Sequence, residues 1–318
     1  MKILNVGPYQ VCEPIAEGVR VIMNHLGEPY SSVYLQGLSG VAFRIAGICP
    51  CAPTCSVMLW PDNLIRLLGY EFRSYDISSN PAEKIELMRQ AVKNEIDLGR
   101  PALVWHAFTN AEWDVVCGYD ESTASFLGRG SYLGHDDYAS APWDRAATAV
   151  EICPAFGAIT IGKKVSELNV RDAEVATLVE AVRHGRDSCE PLTDGTWVMY
   201  QGIQCYRRWA DDFSAKGKAR DAGDAYCYNV YSSTHHAAAG FLREIAPHYD
   251  RAARLLLEAA DFFALEAATL KQADRWLQWF SPWGIDEERS KEVAPILAKC
   301  ANAYEQAIGS LELALPLL

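Results

Sequence analysis

The chain is poor in basic charge: its 29 lysines and arginines are outnumbered by 41 aspartates and glutamates, for a formal charge of −12 at pH 7. That balance excludes a general affinity for DNA, RNA or an anionic membrane surface, while leaving room for a local basic pocket that takes one anion. No uninterrupted apolar run reaches the length of a membrane helix. The amino-terminal Met1-Lys2-Ile3-Leu4-Asn5-Val6 meets Gly7-Pro8 at once, without the apolar core of a secretory signal. A cytoplasmic location is therefore expected. Glycine spacing of the phosphate-loop or dinucleotide-binding kind is also missing, and Gln36-Gly37-Leu38-Ser39-Gly40 reads as a structural turn leading into apolar Val41 to Ile45. No internal repeat is evident. No cofactor is expected.

What the chain does have is length and apolar content. With 318 residues, 50% of them hydrophobic, it can bury a sizeable core and divide into two domains. Its 10 cysteines are scattered, and nothing extracellular supports a disulfide framework. Cys49-Pro50-Cys51-Ala52-Pro53-Thr54-Cys55 supplies three sulfurs where a structural zinc site needs four ligands, and His25 could complete it only through folding. Reduced cysteines and no bound metal are the expectation.

Residues Pro14 to Gly27 carry Ile15, Val19, Ile22, Met23 and Leu26 at helical spacing, with proline in the first turn and glycine at the stop. A short helix is expected over Trp60 to Leu68, a strand over Tyr70 to Tyr75, and a helix opened by Pro81 with Ile85, Met88, Ala91, Val92 and Ile96 on one face. Strand signals follow at Ala102 to Trp105, Trp113 to Tyr119, Ser125 to Leu127, Glu151 to Cys153 and Ala158 to Ile161. Helices are then predicted over Val170 to Val182, Trp197 to Trp209 and Ala237 to Ile245, followed by the Ala/Leu/Glu-rich stretches Arg251 to Trp279 and Ser290 to Leu315. The pattern predicts an α+β domain over residues 1–162 and an all-helical domain over 163–318, with the break near Gly162 to Ser166. Trp276, Trp279, Phe280 and Trp283 suggest an aromatic packing cluster or partner surface.

The chemistry centres on Cys12, set just before the first helix. A thiol at a helix start meets amide donors and the positive dipole end, both of which favour thiolate. A cysteine nucleophile also needs a base and a group that orients it. His106, at the end of the Ala102 to Trp105 strand, is the nearest base by sequence. Gln10 is a candidate oxyanion donor, and Glu112 can orient a histidine or grip a cation. In the second half Tyr228, Asn229 and His236 offer a polar, aromatic rim, and Arg243 a contact for a carboxylate or phosphate. The competing reading of each of the four is an interdomain hydrogen-bond seam.

The surroundings of Cys12, the helix after it, and the strand into Val116-Cys117-Gly118-Tyr119-Asp120 resemble the papain-like peptidase fold of bacteriocin-processing enzymes over roughly residues 1–160. With a helical domain carrying Tyr228-Asn229 and Ala239-Gly240-Phe241-Leu242-Arg243, the chain most resembles the butirosin biosynthesis acyltransferase family. The resemblance implies that Cys12 attacks an activated acyl thioester, such as one on an acyl carrier, and that a small amine takes the acyl group. In such relatives a histidine usually introduces the strand ending in Gly-Tyr-Asp, and here that position is Glu112. His106 substituting from the adjacent loop, Glu112 supporting altered chemistry, and a binding protein without catalysis all stay open. Peptide or amide hydrolysis is the nearest alternative reaction. A homo-oligomer also stays open.

Overall fold

The computed structural model describes residues 1–47, 59–131, 137–187, 189–191, 198–214, 222–279, 281 and 287–318. In chain order the elements are β1 (Lys2–Ile3), α1 (Pro14–His25), α2 (Ser32–Leu38), β2 (Ala46–Gly47), α3 (Pro61–Leu67), β3 (Tyr70–Tyr75), α4 (Pro81–Asp97), β4 (Ala102–Trp105), β5 (Trp113–Asp120), β6 (Ser125–Arg129), β7 (Ala139–Pro142), β8 (Ala158–Lys164), α5 (Val170–Arg186), β9 (Cys189–Pro191), β10 (Val198–Gln201), α6 (Gly202–Ser214), α7 (Ala222–Ile245), α8 (Ala253–Leu270), α9 (Asp274–Leu277) and α10 (Glu287–Ala314). They fall into two compact units. Unit 1 comprises Met1–Leu35 and Leu59–Asn169, and unit 2 comprises Gln36–Met58 and Val170–Leu318. A mixed α+β half followed by a markedly helical one is thus present, with the stretch Gln36–Met58 grouped with the helices.

Unit 1 is built on an antiparallel sheet in the order β3-β8-β4-β5-β6-β7, with β1 pairing the far end of β5. The register pairs Leu103 with Val115 and Trp105 with Trp113, so strand alternation puts these four on one face and Asp114 on the other. Helix α1 lies against the first face: a Cβ added to Gly18 would come within 2.8 Å of Leu103 Cδ2 and 2.9 Å of the Tyr9 hydroxyl, so only glycine admits that approach. All residues from Pro14 to Met23 are buried, which makes α1 the centre of the unit rather than a surface helix. It stops where the sequence predicts. Gly27 takes φ 90°, and the Gly27 and Glu28 amides reach back to the Asn24 and Met23 carbonyls in a Schellman arrangement.

Unit 2 packs α5 to α10 with a small antiparallel sheet, β2-β10-β9. Here the structure corrects three local expectations. The Trp197 to Trp209 helix begins only at Gly202, because Tyr200 and Gln201 pair with Gly47 and Ala46, partners far away in sequence. Tyr226 to Asn229 and Ala237 to Ile245 belong to one continuous helix, α7. In unit 1, Glu151 to Cys153 is no strand; a 3₁₀ turn over Arg145–Glu151 runs into it. The Cys49 to Cys55 cluster, Phe280 and Trp283 lie outside the described residues. Trp276 is buried under the Arg275 guanidinium, and Trp279 is 6.2 Å from the Tyr226 ring.

Candidate functional site

Cys12 is half-buried and ends a strap, residues 8–12, that leads into α1. The residue that caps α1 is Glu13, whose Oε2 accepts from the Ala16 amide at 2.6 Å and the Glu17 amide at 3.4 Å. A carboxylate therefore takes the first-turn donors and the positive end of the helix, the two features that would favour a thiolate nearby. One turn further on, Glu17 receives Arg20 Nε at 2.7 Å and Nη2 at 2.8 Å in a bidentate pair. The same pair grips the strap: the Gln10 amide donates to Glu17 Oε2 at 2.5 Å, and Arg20 Nη2 donates to the Pro8 carbonyl at 2.7 Å. Both side chains are buried, so this charge pair is complete and rigid. The Gln10 side chain itself is exposed.

A second tie joins the strap to β5. The buried Tyr9 hydroxyl donates to the Trp113 carbonyl at 3.0 Å, and burial first, then the Asp114 and Glu17 carboxyls, pushes its pKa well above the ordinary range. Trp113 follows Glu112, a carboxylate only 1% exposed. The strap carrying Cys12 and the turn carrying Glu112 are thereby fixed to one another through Tyr9.

His106 follows β4 with φ 62° and is held by the loop around it. Its amide donates to the Glu112 carbonyl at 2.8 Å, and its Nδ1 accepts from the Ala111 amide at 2.9 Å. That places the proton on Nε2, which lies 3.3 Å from Thr148 Oγ1, while Thr148 donates onward to the Arg145 carbonyl at 2.8 Å. Arg145 closes the loop by donating to the His106 carbonyl and to Asn110 Oδ1. Burial, helped by the Arg145 charge, pulls the His106 pKa down to about 4, so the ring is neutral at pH 7 with both nitrogens engaged.

Asp114, on the sheet face away from α1, accepts the Phe108, Thr109 and Ser131 amides at 2.6, 2.8 and 3.2 Å. Burial outweighs those bonds and raises its pKa to about 7. It organises the β4–β5 turn from below. Two open grooves border this region. One of about 280 Å³ is lined by Trp60, Trp113 and Phe156 with the Asp62 and Asp76 carboxylates, and one of about 490 Å³ by Phe108, Tyr138 and Arg145 among others.

The four residues singled out in the second half all lie on α7. Tyr228 is buried and donates to Asp274 Oδ1 at 2.8 Å; Asn229 bonds its own helix at the Ala225 carbonyl; exposed Arg243 pairs with Asp261 of α8. His236 is exposed. Asn229, His236 and Arg243 recur every seven residues and share a face, but two turns of helix, about 10 Å, separate each from the next. Tyr228 is turned away from that stripe. His25, considered as a fourth metal ligand, faces the Asn5 and Gly99 carbonyls at 3.1 and 2.9 Å. Among the described residues no group of three or more His, Cys, Asp or Glu side chains is placed to hold a metal ion.

Sequence reasoning did not single out Tyr9, Glu13, Glu17 or Arg20. The signal was present: charges at the cap, 13, and at 17 and 20 in a segment otherwise without polar side chains from Pro14 to Met23 place two carboxylates and a guanidinium along one buried edge. Comparison with family models, with curated proteins and with solved structures finds no match to this chain.

Proposed function

We propose that unit 1 is a papain-like acyltransferase domain in which Cys12 accepts an acyl group from an activated thioester and passes it to a small amine. The observation that carries this reading is the Tyr9–Trp113 hydrogen bond, which fixes the Cys12 strap against the residue next to Glu112. Glu112 rather than His106 is the favoured proton acceptor, because both His106 nitrogens are engaged in their own loop and burial, by pulling its pKa down to about 4, disfavours the imidazolium that proton transfer would form. Cys12 Sγ gives its proton to the carboxylate and bonds to the acyl carbon, and the donor thiolate leaves with a proton. The amine then attacks the new thioester, the S–C bond breaks, and Cys12 regains its proton. The groove beside Trp113 suits the acceptor: three aromatic rings and two carboxylates attract an ammonium group.

Intact-mass measurement after incubation with short acyl thioesters tests this. One acyl adduct is expected on the unaltered chain, none on Cys12→Ala, and at least tenfold slower acylation for Glu112→Gln. An adduct that persists in Cys12→Ala sinks the assignment. A second reading, ligand binding without catalysis, is favoured by the Glu13 carboxylate in the helix cap. It predicts no adduct at all, and stabilisation by a small amine that is unchanged in Cys12→Ala.

A further inference from the structure

Four consecutive residues in unit 2 have their backbone held by side chains from three helices. Tyr304 of α10 donates to the Phe43 carbonyl at 2.7 Å, and His235 Nε2 of α7 meets the Arg44 carbonyl at 2.8 Å. His184 Nε2 of α5 lies 3.0 Å from the Ile45 carbonyl, and the Tyr231 hydroxyl of α7 bonds Ala46. All four of these side chains are buried. Such a clamp fixes the position of whatever side chain the segment carries.

That side chain is Arg44. It is 1% exposed, and its Nε and Nη1 are buried with no hydrogen-bond partner among the described residues. Arginine cannot shed its proton, so the charge stays. His184 and His235, whose titration feels the Arg44 charge, are held neutral by burial, with pKa values of about 4, and supply no counter-charge. A backbone carbonyl only accepts, so His235 carries its proton on Nε2 and presents a lone pair at Nδ1. Glu266 Oε1 sits 2.7 Å from that lone pair and also receives the Tyr206 hydroxyl. Burial pulls the His235 pKa down to about 4, so the ring is neutral; its contact with Glu266 is then a hydrogen bond only if Glu266 is the protonated acid, and complete burial drives the Glu266 pKa in that direction. The cluster behind the clamp is therefore neutral.

We propose that Arg44 anchors an anion site inside the helical unit, binding the carboxylate or phosphate group of a small molecule through its guanidinium fork. The two chemistries share paired oxygens, and each unpartnered nitrogen belongs to one edge of the guanidinium that can take such a pair, Nε with Nη2 or Nη1 with Nη2.

The full chain, exchanged into chloride buffer, is titrated with inorganic phosphate and separately with succinate while its thermal midpoint is followed; potassium chloride at matched ionic strength is the control. A saturable rise is expected with at least one anion, about 5 °C at a hundredfold excess over Kd, and it is lost in Arg44→Gln and Arg44→Met. Saturation by phosphate alone or by succinate alone identifies the group. No saturable rise with either anion, or an equal rise in Arg44→Met, overturns the proposal. If the variants do not fold, crystals of the unaltered chain grown with selenate and, separately, with dibromosuccinate decide it: an anomalous peak beside the Arg44 guanidinium with either supports the site, and its absence with both overturns it.

Discussion

Arg20 and Arg44 are both buried arginines, 4% and 1% exposed, and they are handled in opposite ways. In unit 1 Arg20 is matched by a bidentate carboxylate, and its spare donor holds the Pro8 carbonyl. In unit 2 burial drives Glu266, which meets His235 behind the same segment, toward its protonated form, and two nitrogens of Arg44 have no hydrogen-bond partner among the described residues. Taking a guanidinium out of water costs several kcal/mol unless a counter-charge is supplied. One unit supplies it from its own sequence three residues away. The other holds the charge in place and leaves the counter-charge to a ligand.

The sharpest break of this contrast is a pair of substitutions. Glu17→Gln strands the Arg20 charge and loosens the Cys12 strap, and is expected to cost about 3 to 5 kcal/mol in denaturant unfolding. Arg44→Met removes a charge for which Nε and Nη1 have no partner among the described residues, and in anion-free buffer is expected to cost less than about 1 kcal/mol or to stabilise. Equal losses from the two would show that Arg44 has a structural partner after all.

A second, smaller effect sharpens the account of the neutral cluster. His184 and His235 titrate near 6.5 when unfolded and at about 4 in the native chain. Their contribution is present above pH 6.5 and lost as pH falls toward 4, about 2 kcal/mol each between pH 7 and pH 5. Glu266 runs the other way. Its native pKa lies well above the unfolded 4.5, so its contribution is full below pH 4.5 and shrinks as pH rises, opposing the histidine loss on acidification. Glu266→Gln keeps a donor for His235 Nδ1 but has no proton to exchange. Its stability should therefore fall more steeply between pH 7 and pH 5 than that of the unaltered chain, read by denaturant unfolding at each pH. Parallel pH dependences in the two proteins would mean that Glu266 is not the protonated partner.

Much of the scaffold in this comparison is legible in the sequence, and the clamps are not. Helix α1 is readable because its proline start, apolar period and glycine stop are all local, and the strands around Trp105 and Trp113 because their apolar runs are bounded by turns. Val198–Gln201 reads as helix because four apolar and polar residues carry no period of their own; its strand identity comes from Ala46 and Gly47, which are distant in the chain. His235 looks like half of a histidine pair, yet its partners lie 31 and 191 residues away at Glu266 and Arg44. Likewise the Ala111 and Thr148 contacts that occupy His106 appear only once β4 and β5 are paired. The one local clue to Arg44 was an arginine alone in the apolar run Val41-Ala42-Phe43-Arg44-Ile45-Ala46, a position that either reaches water or needs an anion.

The smallest test concerns the tie between strap and sheet. Tyr9→Phe keeps the ring that Gly18 admits and removes only the hydroxyl that donates to the Trp113 carbonyl. A single buried hydrogen bond of this kind is worth about 1 kcal/mol, and the Trp113 carbonyl is left with one acceptor site unfilled. Because the Glu17–Arg20 pair still grips residues 8 and 10, the strap should stay folded, and the loss should be local. The expected signature is therefore a modest fall in stability together with a rise of a few fold in the alkylation rate of Cys12 by iodoacetamide, read by peptide mass. Arg44→Met, whose residue belongs to the other unit, should leave that rate unchanged. An equal rise in both variants would mean that Cys12 access follows global stability, and that the Tyr9 tie does not position the thiol.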